Sequence, residues 1–126
     1  SPMAEAIFND MAEKNGVCVR AESFGIATST GLPVSENSVI ACKEIGIDLS
    51  GKASTAVADA GIEKYEKFYC MSQSHAKMLM QFFLVQPEKI AVLGISDPYG
   101  GDIEVYRHCR DEIVNSVKEI LKAYEN

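Results

Sequence analysis

Ile90-Ala91-Val92-Leu93-Gly94-Ile95-Ser96-Asp97-Pro98-Tyr99-Gly100-Gly101-Asp102 holds, in one stretch, the pattern that sets the fold of this chain. Residues 90–93 form a short apolar run that reads as a strand, and Gly94-Ile95-Ser96 leads from it to Asp97. Pro98 fixes its own φ, lacks an N–H and pushes Asp97 out of the α region, so the carboxyl projects from extended or turn backbone. Gly100-Gly101 supplies backbone freedom just before a long helical pattern over residues 103–124. There Ile103, Tyr106, Ile113, Val117, Ile120 and Leu121 make the apolar stripe and the charged residues face water. A carboxyl on a short loop at the mouth of a helix suits a general acid. The plainer reading of the same residues is an ordinary turn with an N-cap aspartate.

Upstream, the same alternation repeats. Ser1-Pro2 reads as an N-cap followed by proline at the first helical position, with Met3, Ile7, Phe8 and Met11 at helical spacing until Asn15-Gly16. Residues 17–24 alternate Val17, Val19 and Ala21 against Cys18, Arg20 and Glu22, the period of a strand. Residues 25–33 read as a loop, and 35–44 as a helix burying Val39, Ile40 and Ile45. The stretch 47–53 reads as extended or irregular and 56–65 as a short helix at most. Residues 67–71 form an apolar, aromatic strand; Ser72 then caps a helix to about residue 83, with Met78, Leu79, Phe82 and Phe83 turned inward. Helix, strand, helix, strand, helix, strand, helix predicts a single α/β domain over 1–126, a parallel sheet covered by helices. In such sheets ligands gather beyond the carboxyl ends of the strands, where Asp97 falls.

Composition bounds the function. The 126 residues carry a formal charge of −6, which argues against broad binding to nucleic acid or to an anionic membrane surface. No apolar run approaches the ~20 residues of a membrane span, and the first residues read as a helix rather than a signal peptide. Cys18, Cys42, Cys70 and Cys109 are widely and unequally spaced with no C-x-x-C pair, so they read as reduced thiols of a cytoplasmic protein, with no metal site.

Several of these pieces together resemble the low-molecular-weight protein tyrosine phosphatases. Ser1-Pro2-Met3-Ala4-Glu5-Ala6 is similar to the segment that follows the C-x5-R phosphate loop of that family, and Ser23-Phe24-Gly25 to its S-A-G turn. Met71-Ser72-Gln73-Ser74-His75 resembles its M-T-x-x-H junction, and Asp97-Pro98-Tyr99-Gly100-Gly101 with Tyr106-Arg107 its general-acid loop and the helix behind. The resemblance covers the chain in order, with S-P-M-A-E and D-P-Y-G-G the specific parts. It departs at Phe24, in place of a small residue, and at Gly51-Lys52-Ala53-Ser54, where many members have H-x-A-R. No cysteine here has an arginine six positions on: Cys18 meets Phe24, Cys42 meets Asp48, Cys70 meets Ala76 and Cys109 meets Asn115. The expectation is therefore a three-layer α/β/α member whose first, central strand and nucleophile loop would lie ahead of Ser1.

The resemblance implies hydrolysis of phosphotyrosine, or phosphoarginine, on proteins through a phosphocysteine, with no cofactor. Asp97 would protonate the leaving atom and then activate water. Ser1 would donate its hydroxyl to the thiolate or serve only as the N-cap, and Tyr99 would wall the substrate slot or stand as a surface aromatic. His75 reads as structural. On this reading the 126 residues alone are inactive, phosphate-like anions bind at the opening of the first helix, and exposed strand edges pair two copies into a homodimer. Two other readings are a non-catalytic interaction module and, last, a thioredoxin-coupled arsenate reductase, for which the closely placed cysteines are lacking.

Overall fold

A computed structural model describes residues 1–25, 30–57 and 60–124. Its helices begin where capping side chains are available. Helix α1 (Pro2–Lys14) starts at Ser1, whose Oγ accepts the Ala4 N–H at 3.2 Å, and Pro2 occupies a position that needs no donor. Helix α2 (Glu36–Lys43) is capped by Ser35, α3 (Gln73–Phe82) by Ser72 and α4 (Ile103–Lys122) by Asp102. Strands β1 (Phe68–Cys70) and β2 (Ile90–Val92) pair in parallel with Phe68 opposite Ile90. The pairing runs past them: Leu93 N–H donates to Cys70 O at 2.8 Å and Ile95 N–H to Met71 O at 3.0 Å. The two chain ends that leave the sheet are thereby held side by side, which is what positions the site.

The expected α/β class stands. One core joins α1, α2 and α4 through Met3, Ile7, Phe8, Ala41, Cys42, Ile113, Val117 and Leu121, with Ile47, Leu49 and Ile95 closing it. A second, made of Val57, Phe68, Cys70, Ala76, Leu79 and Val85, packs α3 on the sheet. Burial of these side chains, each contributing about 1.5–3 kcal/mol when fully covered, is the main term holding the layers together.

Three expectations need correction. Residues 17–24 form no ladder among the described residues; the backbone of Val17, Ala21 and Ser23 bonds α1 instead. Val17 N–H donates to Ala12 O, Asn9 bonds both the N–H and the C=O of Ala21 at 2.8 and 2.9 Å, and Glu5 accepts the Ser23 N–H at 2.7 Å. The alternation itself is kept: Val17, Val19 and Ala21 pack against the first core while Cys18, Arg20 and Glu22 are exposed. Phe82 points outward, 70% exposed, since Leu84 at φ +56° turns the chain so that Val85 closes the core in its place. On α2 the buried face is Ser38, Ala41 and Cys42, not Ile40 and Ile45, because these small side chains let α4 approach closely. The loop expected over 25–33 and the helix expected over 56–65 lie partly outside the described residues, and the described part of the latter includes a 3-10 turn, Ile62–Lys64.

Candidate active site

Asp97 sits on the loop that leaves β2 at its carboxyl end. Its Oδ1 accepts the Tyr99 N–H at 3.0 Å, and Gly101 N–H donates to Pro98 O at 2.9 Å, so two successive backbone donors tie the loop to itself. Gly100 takes φ +84°, and Gly101 lies so close to Val105 that there is no room for a side chain. Asp102 then accepts the Val105 N–H at 3.1 Å and begins α4. The carboxylate of Asp97 is exposed beside this rigid corner, and Tyr99 is 86% exposed, touching solvent rather than packing on α4.

The N-cap of α1 lies within electrostatic reach of the same loop. Ser1 is exposed as a residue, yet its amino nitrogen is crowded by protein. Burial lowers the pKa of that group, while Glu5, Asp97 and Cys109, in that order, act to raise it. Asp97 and Ser1, the N-cap of α1, therefore lie within electrostatic reach of one another, although 96 positions apart in the chain. Cys109 lies behind them, its Sγ donating to Ser96 O at 3.8 Å.

The cysteines do not supply a nucleophile to this corner. Burial pushes Cys109 up to about 11, with Glu112 and Asp97 adding and the Ser1 amino group opposing. Burial likewise raises Cys42 to about 11, against the pull of Arg110, and raises Cys70. All three are neutral thiols at physiological pH. Cys18 is exposed, on the segment after α1, and all four are unpaired. Among the described residues no cluster of three or more His, Cys, Asp or Glu side chains is arranged to hold a metal ion. His75 opens α3 and is exposed, its N–H donating to Ser72 Oγ at 3.4 Å.

Reading the sequence did not single out Glu5, which the structure places at the centre of a small network. One carboxylate oxygen accepts from Ser23 N–H and from Ser23 Oγ at 3.0 Å, the other from Lys52 Nζ at 3.2 Å. Glu5 thus joins the first turn of α1 to two loops. A cleft of about 320 Å³ opens beside it, lined by Phe24, Lys52 and Tyr65 among others. Phe24, Tyr65 and Phe68 pack together there, Phe68 edge-on to the other two and Phe24 tilted on Tyr65, with centroids 5.5–6.4 Å apart. The only signal in the sequence was Glu5 lying within S-P-M-A-E, and nothing local named its partners 18 and 47 residues away.

Ligands of parallel α/β sheets gather beyond the carboxyl ends of the strands, where the Asp97 loop lies. The sequence model of the low molecular weight phosphotyrosine protein phosphatases matches residues 1–126, and the chain belongs to that family. It is 28% identical to a protein-arginine-phosphatase of Bacillus subtilis, an alignment covering 97% of this chain and 87% of that one. Its fold superimposes with a TM-score of 0.91 on a low molecular weight protein tyrosine phosphatase from T. tengcongensis, at 28% identity over 98% of this chain and 90% of the other. A TM-score of 0.91 also relates it to a mutant of the arginine phosphatase YwlE with a phosphorylated active-site serine, at 27% identity over 98% and 86% of the two chains.

Proposed function

We propose that these residues form the acid side of a protein phosphatase centre, with Asp97 as general acid, Ser1 at the flank of the phosphate site and Tyr99 as a wall of the substrate slot. The observation that carries this is the place of Asp97, held by the Tyr99 N–H on the loop between the carboxyl end of β2 and the start of α4, within electrostatic reach of the Ser1 amino group. In the reaction, a thiolate displaces the leaving group from phosphorus while Asp97 gives its proton to the departing atom. That atom is the phenolic oxygen of tyrosine or a guanidinium nitrogen of arginine. Asp97, now a carboxylate, takes a proton from the water that cleaves the phosphocysteine, so the acid and the thiolate are both regenerated. The α1 N-terminus turns the positive end of its dipole toward the phosphate oxygens.

The thiolate is not one of the four cysteines, three of which are buried and neutral and none of which precedes an arginine in C-x5-R form. The 126 residues by themselves are thus expected to be inactive on aryl phosphate. Four unpaired thiols support a cytoplasmic setting, and no helix among the described residues is long and apolar enough to cross a membrane. The short sheet leaves two edges, which supports pairing of two copies; a monodisperse monomer in light scattering would count against it.

The experiment fuses a C-x5-R loop and its preceding strand to Ser1. The fusion should hydrolyse aryl phosphate, and Asp97→Asn in it should lower kcat by about 10²–10⁴-fold, most for poor leaving groups. Turnover indifferent to Asp97→Asn refutes the assignment, as does cysteine-dependent turnover by the 126 residues alone. The ratio of rates on phosphoarginine and phosphotyrosine proteins then sets the substrate.

A further inference from the structure

The first two turns of α4, which follow directly on the acid loop, carry two arginines on one face. Arg107 and Arg110 are three residues apart and both reach the end of α2. Arg107 grips the Glu44 carboxylate with Nε at 3.0 and 3.1 Å and Nη2 at 2.7 Å, and its remaining Nη1 bonds Glu104 of its own helix. Arg110 donates Nη1 to Glu44 at 2.7 Å and to Ala41 O at 3.0 Å, and its side chain is only 12% exposed. The Ala41 carbonyl belongs to the last turn of α2, where intrahelical partners run out and the dipole is negative. The α2 end is thus capped by the helix that carries the acid loop.

The linkage continues without a break toward Asp97. Glu104 stands one residue before Val105, whose N–H is capped by Asp102 and whose side chain rests against Gly101. Gly101 is tied to Pro98 O, and Tyr99 N–H to the Asp97 carboxylate itself. The steps are hydrogen bonds, one close side-chain approach and the covalent link from Glu104 to Val105, and together they join the first turn of α4 to the Asp97 loop.

We propose that Glu44 and Arg107, steadied by Arg110, are positioning residues that hold the Asp97 loop in its working geometry by clamping the first turns of α4 to the end of α2. The proposal rests on Asp97 being the acid of the phosphatase reaction. The clamp is about one-third exposed on both sides, 36% at Arg107 and 34% at Glu44. Salt therefore reaches it, and the acid loop loosens as ionic strength rises.

The test is solvent exchange of backbone amides by NMR on the 126-residue chain, with Arg107→Met, Glu44→Gln, the double variant and Arg107→Lys. Either single change is expected to speed exchange at Tyr99 and Gly101 about fivefold. The Tyr99 amide proton should move upfield as its bond to Asp97 lengthens. The double variant should add little, because each partner acts through the other. Arg107→Lys should recover only part, since an ammonium lacks the guanidinium fork. Amides in the middle of α1 and α3 should not change. Unchanged exchange at Tyr99 and Gly101, or an equal acceleration at every element, overturns the proposal. Should a variant fail to fold, a salt titration of the unaltered chain decides: selective quickening at those two amides supports the clamp, and none refutes it. Loop exchange does not depend on turnover, so failure of the phosphatase reading would show separately, in the fusion and its Asp97→Asn variant.

Discussion

Replacing Gly101 by alanine tests how tightly the acid loop is built onto α4. The added methyl would stand 2.8 Å from Val105 Cβ, 2.9 Å from Val105 Cγ1 and 3.0 Å from Pro98 O. Gly101 is not among the glycines at positive φ, so the cost is steric and not a matter of backbone preference. Rotating Val105 cannot relieve the contact with Cβ, which is fixed to the helix backbone, and Pro98 O already accepts the Gly101 N–H. The turn or the first turn of α4 must shift, at about 1–3 kcal/mol for an overpacked site. Against this, alanine restricts the unfolded chain and returns about 0.4–1 kcal/mol. The expected net loss is roughly 1–2 kcal/mol, a drop of about 0.5–1 M in the urea midpoint. Val105→Ala removes Cγ1 and leaves Cβ, so the double variant should recover only part of the loss. A Gly101→Ala chain as stable as the parent, or full recovery in the double variant, would refute the reasoning.

Other expectations follow from the same contacts. Ile113 is fully buried where α4 meets α1 and α2, and Ile113→Ala should cost about 2–5 kcal/mol in chemical denaturation. The hydrogen bond from Arg107 is the largest influence on Glu44 and lowers its pKa; desolvation opposes it, and the weaker bond from Arg110 adds to the lowering. A folded-state value below the unfolded one means the contribution is fully present above the ordinary glutamate range and is lost as pH falls through the depressed value. The difference in urea midpoint between the parent and Glu44→Gln should therefore shrink in acid; a difference independent of pH would show the pair contributes nothing. A thiol reagent should modify Cys18 alone in the folded chain and all four cysteines in denaturant, and rapid native modification of Cys42, Cys70 or Cys109 would contradict their burial.

Much of the architecture was legible because its causes are local. Ser1, Ser35, Ser72 and Asp102 cap helices through bonds to amides three residues on, and hydrophobic spacing on α1 and α4 named the buried faces. Elsewhere local pattern misled. Phe82 follows the inward spacing of α3 but lies at its last residue, where the backbone reversal at Leu84 brings Val85 into the core. Residues 17–24 have a strand's alternation, yet whether an extended segment joins a ladder depends on what lies beside it, and here α1 lies there, with Asn9 and Glu5 bonding the backbone of Ala21 and Ser23.

Local sequence was enough for the helix starts, the short strands around 68–70 and 90–92 and the D-P-Y-G-G turn that projects Asp97, because capping and φ restriction act over a few residues. Only the tertiary structure decided that Asp97 approaches Ser1, that Glu5 gathers Ser23 and Lys52, and that Arg107 and Arg110 close on Glu44. Those meetings join residues 18 to 96 positions apart. Their distances are set by how apolar faces stack, and no spacing within a single element encodes that.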